Sequence, residues 1–130
     1  MLEDMIWRVI SLEKRDGYFN TALDEAMINL VSGKEAPPTL VFTEWRPTVS
    51  VGRAQSVELD VDEDACRKYG AAVVRRQSGG QAVYVDEGYV VMSLIGQRKF
   101  FPTSLDGLRE SISVTLANVL QEYGVPCRFY

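Results

Sequence analysis

The sequence contains no histidine, and its two cysteines, Cys66 and Cys127, lie far apart. Without histidine the common zinc ligand sets are not available, and the cysteines make no metal-ligand spacing. Nor do they form a disulfide framework, so both are expected as thiols in a reducing cytoplasm. Basic charge is also sparse: the net charge is −4 and the sequence pI is near 4.8. That excludes the basic face a nucleic-acid surface needs. No signal-peptide pattern and no apolar run long enough to cross a bilayer is present, so no membrane is expected as a partner. Repeats and low-complexity segments are absent as well.

What is present is a soluble-type composition, 46% apolar over 130 residues. That length suits a single domain, residues 1–130. Trp7–Leu12 reads as a strand, its apolar face at Trp7, Val9 or Ile10, and Leu12; Glu13–Gly17 reads as a polar turn. From Tyr18 to Ser32, Phe19, Ala22, Leu23, Ala26, Met27, Leu30 and Val31 recur at helical spacing, and Gly33 closes the helix. Asp24 and Glu25 read as a solvated acidic face near its start. Thr39–Trp45 and Thr48–Val51 look like two strands of a hairpin around Pro47. Asp60 or Asp62 caps a short helix, Glu63–Tyr69, ended by Gly70. A last helix starts at Thr103 or Ser104, with Leu108, Ile112, Leu116, Val119, Leu120 and Tyr123 as its stripe and Gly124 as its end. Val125–Tyr130 opens a further strand-like run. The order β-α-β-β-α-β-β-β-α-β, rich in hairpins, predicts an α+β fold: a mixed, mostly antiparallel sheet with packed helices.

The chemistry concentrates in Arg75–Leu94, read as strand, loop, strand, tight turn, strand. Two arginines end an apolar run, and Gln77-Ser78-Gly79-Gly80-Gln81 follows. Adjacent glycines permit positive φ and close approach to a ligand. Inward-pointing N–H groups make an anion site, which a neighbouring arginine can clamp. Arg53, in the loop Gly52–Gln55, is a second candidate anion ligand. Adjacent strand residues point to opposite faces, so Ala82 and Tyr84 oppose Val83 and Val85, and only one of Arg75 and Arg76 can face the loop opening.

Three stretches taken together, Phe19-Asn20-Thr21-Ala22-Leu23-Asp24-Glu25, Trp45-Arg46-Pro47 through Gly52 and Gln55, and Arg75-Arg76-Gln77-Ser78-Gly79-Gly80-Gln81-Ala82-Val83 through Asp86, resemble the lipoate–protein ligases and protein octanoyltransferases. These are relatives of biotin–protein ligase. The resemblance runs roughly from Trp7 to Cys127 and implies the biotin/lipoate ligase catalytic-domain fold, in incomplete form. It implies binding of lipoate or octanoate and passage of the acyl group to a lysine of a lipoyl-carrier domain. Such a carrier is a 2-oxoacid dehydrogenase E2 component or the glycine cleavage H protein. In a ligase, ATP and Mg2+ would form an acyl-adenylate; in an octanoyltransferase, a cysteine would carry a thioester and no ATP is needed. Carried over by position, Arg76 contacts the carboxyl or phosphate end, and Arg75 turns to solvent or to an acidic neighbour. Ser78, Gly79 and Gly80 shape the loop, and Gln81, Ala82, Val83 and Tyr84 line the acyl chain and adenylate.

The chain departs from the pattern at Val85, where the family usually has histidine, and at Gln81, where ligases have a third glycine. The family's catalytic lysine or cysteine falls beyond Tyr130, so the chain is expected to be inert alone, with no catalytic residue of its own. A complementing C-terminal chain or a homo-oligomer is then an expected partner. Three readings stay open at this stage: part of an acyl-transferring enzyme, a non-catalytic binding module, and a degenerate structural paralogue.

Overall fold

The computed structural model describes residues 6–129. They fall into two compact units, divided after Gly96. The first carries β1 (Arg8–Arg15), α1 (Gly17–Ser32), β2 (Thr39–Trp45), β3 (Thr48–Val51), α2 (Val57–Asp60), α3 (Glu63–Tyr69), β4 (Ala72–Arg75), β5 (Val83–Val85) and β6 (Val90–Ile95). The second carries a 3-10 turn at Arg98–Phe100 and α4 (Leu105–Glu122).

The first unit holds two three-stranded sheets, ordered β1-β2-β6 and β4-β3-β5. Each joins one parallel pair to one antiparallel pair: β1 with β2 and β3 with β4 run parallel, β6 with β2 and β5 with β3 antiparallel. The α+β class with mixed sheets therefore holds. The hairpins do not. Both parallel pairs are crossovers, one through α1 and one through α2 and α3. β2 and β3, expected as a hairpin, lie in different sheets, and so do β5 and β6 on either side of the Asp86–Tyr89 turn. The reason at β2–β3 is local. A two-residue hairpin loop needs positive φ, which the ring of Pro47 forbids. The chain bends at Arg46-Pro47 without closing a hairpin and enters the second sheet instead.

Helix ends follow capping chemistry. Asp16 accepts from the N–H of Phe19 at 2.8 Å, Asp62 from that of Ala65 at 2.9 Å, and α3 ends on Gly70 at φ 68°. Strand β1 runs on to Arg15, past the expected turn at Glu13, and puts Arg8, Ile10 and Leu12 inward while Val9 is exposed. Helix α1 seats differently from its apolar pattern. Phe19, Ala22 and Ala26 are exposed, and the inner stripe runs through Asn20, Asp24, Met27 and Val31. α2 was not anticipated.

The inner face of β2 alternates Thr39, Val41, Thr43 and Trp45, all buried. Its hydroxyls are satisfied locally: Thr39 donates to the carbonyl of Pro37 at 2.9 Å, and Thr43 accepts from the indole N–H of Trp45 at 2.8 Å. Trp45, Val74 and Val85 form the core cluster, with Val91 against it.

In the second unit, Ser104 caps α4 by accepting from the N–H of Gly107 at 3.0 Å. Leu108 and Ile112 are half-buried; Leu116, Val119, Leu120 and Tyr123 of the expected stripe are exposed. Residues 125–129 form no strand, and Tyr130 lies outside the described residues. No helix among the described residues is long and apolar enough to cross a membrane.

Candidate functional site

Strands β4 and β5 flank β3 on opposite sides, so the loop from Arg76 to Ala82 must cross the C-terminal end of β3. Gly52 sits at that end. A Cβ on Gly52 would lie 2.0 Å from the carbonyl oxygen of Gly80, which itself takes φ 97°. The glycines thus serve chain-on-chain approach and one left-handed turn.

Two guanidinium groups fasten the crossing. Arg76 Nη1 donates to the carbonyl of Ser50 at 2.7 Å, and Nη2 to those of Gly79 and Gln81, each at 2.8 Å. Its Nε also donates to Gly79 at 3.3 Å. Arg75 points to the other side. Its Nη1 donates to the carbonyls of Gly52, Arg53 and Gln55 at 3.0, 3.2 and 2.7 Å. The expectation that Arg75 turns to solvent or an acidic partner is therefore corrected: it tethers the 52–55 loop. The two loops are also joined by the N–H of Arg53 donating to the carbonyl of Ser78 at 2.9 Å, and by Gln55 Nε2 donating to Gln81 Oε1 at 3.4 Å.

The loop is consequently asymmetric. Carbonyls of Ser78, Gly79 and Gln81 are engaged, whereas the N–H groups of Ser78, Gly79, Gly80 and Gln81 have no acceptor among the described residues. Free N–H groups on an exposed turn, beside the Arg76 charge, suit an anion.

Behind the loop lies a cavity of about 360 Å³. Arg76, Gln77, Ser78, Val83 and Val85 form one wall; Thr21, Asp24 and Ile28 of α1 and Val91–Ile95 of β6 form the other, with Trp45 and Ser50 also in the lining. Of the candidate residues, the fold brings Arg76, Ser78 and Val83 to the cavity. Gly79, Gly80, Gln81 and Ala82 belong to the crossing loop, and Arg53 lies on the adjoining loop, its side chain exposed and without a carboxylate partner among the described residues. Tyr84 is on the opposite face of β5, where it lines a separate hollow with Val49, Cys66 and Tyr69. The alternation along β5 is as read; the cavity-facing pair is Val83 and Val85.

Asp24 is a second correction. It does not sit on a solvated face. Its carboxylate is half-buried, accepts from the Ser93 hydroxyl at 3.0 Å, and lines the cavity. Burial pushes its pKa above the ordinary 3.8, and the Ser93 bond pulls it partly back. Glu25 is exposed.

The family model for the lipoyl protein ligase A/B catalytic domain matches residues 16–130. The chain belongs to this family. It is similar to an octanoyltransferase, LipM, of Moorella thermoacetica, 36% identical over 124 residues that make up 92% of this chain and 45% of that protein. Among solved structures it is similar to a lipoate protein ligase from T. acidophilum with bound lipoic acid, at TM-score 0.80 and 27% identity, covering 95% of this chain and 51% of that one. It is likewise similar to a bi-partite lipoate protein ligase from Thermoplasma acidophilum, studied with its E2 lipoyl domain, at TM-score 0.78 and 25% identity, covering 97% and 49%. The chain thus spans about half the length of the relatives it matches. The fold is that of the lipoate–protein ligase catalytic domain over this portion.

Val85 is part of the apolar cluster with Trp45 and Val74. The residues that sequence reasoning missed are Thr21, Asp24, Ile28, Trp45 and Ser50, Gln77, and the β6 segment. Trp45 carried a signal as a motif residue. Asp24 carried one as a charge on a helix whose stripe was apolar.

Proposed function

We propose that this chain is the acyl-binding portion of a lipoyl-group transfer system. It binds lipoate or octanoate with the carboxyl end at the Ser78–Gln81 loop and the chain in the cavity behind it. The observation that carries this reading is the junction of free loop N–H groups, the Arg76 charge and a largely apolar cavity. A medium-chain acid needs that combination: donors for its head and desolvated walls for its tail. The names of the relatives, octanoyltransferase and lipoate protein ligase, support the substrate class.

The acyl group would pass to a lysine of a lipoyl-carrier domain, as the E2 lipoyl domain studied with the archaeal ligase suggests. The described residues lining the cavity include no lysine and no cysteine. The chain alone therefore binds without transferring, and the reacting group comes from another segment or chain, a reading that the similarity to a bi-partite ligase supports. Within the reading, ATP-independent octanoyl transfer is favoured over ligation by the higher identity to the octanoyltransferase of Moorella thermoacetica, 36% against 27% for the ligase with bound lipoic acid. If the protein acts as a ligase, the same loop and Arg53 suit the phosphate of ATP. Mg2+ would then arrive with the nucleotide, because no cluster among the described residues could hold a metal ion by itself. Both described cysteines are free, which suits work in the cytoplasm.

Calorimetric titration of the chain with lipoate and octanoate tests the binding claim. Intact mass of a lipoyl-carrier domain, incubated with the chain and either octanoyl-carrier thioester or lipoate, ATP and Mg2+, tests the rest. Binding without acylation is expected. Absence of binding would overturn the reading, and acylation by the chain alone would overturn the claim that it lacks the reacting group.

A further inference from the structure

The second sheet has a hollow on the face turned away from the acyl cavity. Val49 of β3 and Tyr84 of β5 are register partners there, whereas Ser50 and Val83, their neighbours in sequence, line the cavity on the other side. Helix α3 and the link that joins it to α2 lie over this outer face. The hollow holds about 290 Å³, and its lining joins apolar Val49, Val61 and Cys66 to Tyr69, Tyr84 and Asp60. That volume falls just short of the roughly 300–1,000 Å³ of sites for whole small molecules, and it has room for one side chain.

The lining states what that side chain must offer. Carboxylates crowd α2 and the start of α3: Glu58, Asp60, Asp62, Glu63 and Asp64. Arg67 answers Glu63 and Asp64, and Asp62 caps α3 at the N–H of Ala65. The carboxylate of Asp60 has no ion pair and no hydrogen bond among the described residues. The Cys66 thiol, on a residue only 8% exposed, is likewise free and without a hydrogen bond there. Both tyrosines are exposed, and Tyr69 already carries a cation over its ring, Lys68 Nζ at 5.3 Å from the centroid. An apolar floor, exposed tyrosines and an unanswered carboxylate are the parts of an anchor pocket at a protein–protein interface. A guanidinium meets all of them: it is flat and weakly hydrated, stacks on aromatic rings and forks onto a carboxylate, while its methylene stem covers apolar floor.

We propose that this hollow is a docking pocket for an arginine side chain of a protein partner, with Asp60 as counter-ion and the rings of Tyr69 and Tyr84 as walls. The sheet separates it from the acyl cavity, so a partner seated here leaves that cavity open. Such docking is independent of what the cavity binds.

The test is NMR titration of the whole chain with Nα-acetyl-arginine methylamide and with its citrulline analogue, which keeps the shape and loses the charge. The arginine probe is expected to shift the amide signals of Asp60, Tyr69 and Tyr84 and to bind about tenfold more tightly than the citrulline probe. Asp60→Asn and Tyr84→Ala, both at exposed positions, should each weaken arginine binding about fivefold or more. Either variant alone suffices if the other misfolds. Equal binding of the two probes, shifts spread over the acidic surface with no focus at the hollow, full affinity in the folded variants, or no shift at all would overturn the pocket.

Discussion

The two walls of the cavity are held by different means. The loop wall is a backbone construction: Arg76 and Arg75 donate to six carbonyls, those of Ser50, Gly79 and Gln81 and those of Gly52, Arg53 and Gln55. The helix wall is a side-chain construction, in which α1 and β6 meet through packing and one carboxylate–hydroxyl bond. The first fixes where N–H groups point and is indifferent to most side chains. The second leaves the backbone ordinary and puts its chemistry in the identities of Thr21, Asp24 and Ser93. The two walls are thus separable by mutation.

The sharpest way to break the loop wall is Gly52→Ala. The new methyl would meet a backbone oxygen at 2.0 Å, which no rotamer can relieve. A stability loss of about 3 kcal/mol is expected, measured by urea unfolding, together with loss of octanoate binding. A variant as stable as the parent would show that the crossing can shift, and the contrast between the walls would weaken.

The arginine pair sharpens the comparison within the loop wall. Arg76→Met removes bonds to three carbonyls and the charge beside the free N–H groups. It should cost about 2 kcal/mol of stability and weaken octanoate binding about tenfold or more. Arg75→Met cuts only the tether to the 52–55 loop and is expected to cost about 1 kcal/mol, with binding changed by less than about threefold. Equal binding losses would mean that the anion is held from the Arg75 side.

The smallest effect belongs to the helix wall. Because burial raises the folded-state pKa of Asp24 above 3.8, the folded protein keeps a proton that the unfolded chain has released. Stability is then lost as pH rises from 3.8 through the raised value, and below 3.8 there is no such loss. Asp24→Asn does not titrate. Its stability relative to the parent should therefore be unchanged in acid and shift in favour of the variant toward neutral pH, as read from urea midpoints across that range. A relative stability independent of pH would show that the carboxyl is solvated and that this wall is less enclosed than its geometry indicates.

Legibility in the sequence followed the same division. The loop wall is one contiguous stretch with glycine and arginine at fixed offsets, so Arg76, Ser78 and Val83 could be named from it. The part of Arg75 could not, because its acceptors are carbonyls 20 to 23 residues away and carbonyls have no sequence signature. The helix wall draws on α1 and β6, separated by the whole of the first unit. Helical periodicity pointed to Phe19, Ala22 and Ala26 as the inner face, and tertiary packing turned Asn20 and Asp24 inward instead. Strand positions were read well where alternation was strong, as along β2 and β5. Pairing was read poorly, because the hairpin pattern ignored what Pro47 does to a two-residue turn.

The loop that lies over β3 also orders events in time. Its fastenings join Arg76 to Ser50, 26 residues earlier, and Arg53 to Ser78, so they close only after β3 and β4 have paired through their crossover. Contacts between distant residues carry a loop-closure cost that must be met before they stabilise anything. In refolding from urea, the β-sheet signal should therefore return before the capacity to bind octanoate. A nascent chain would complete the proposed acyl site as one of the last acts of folding.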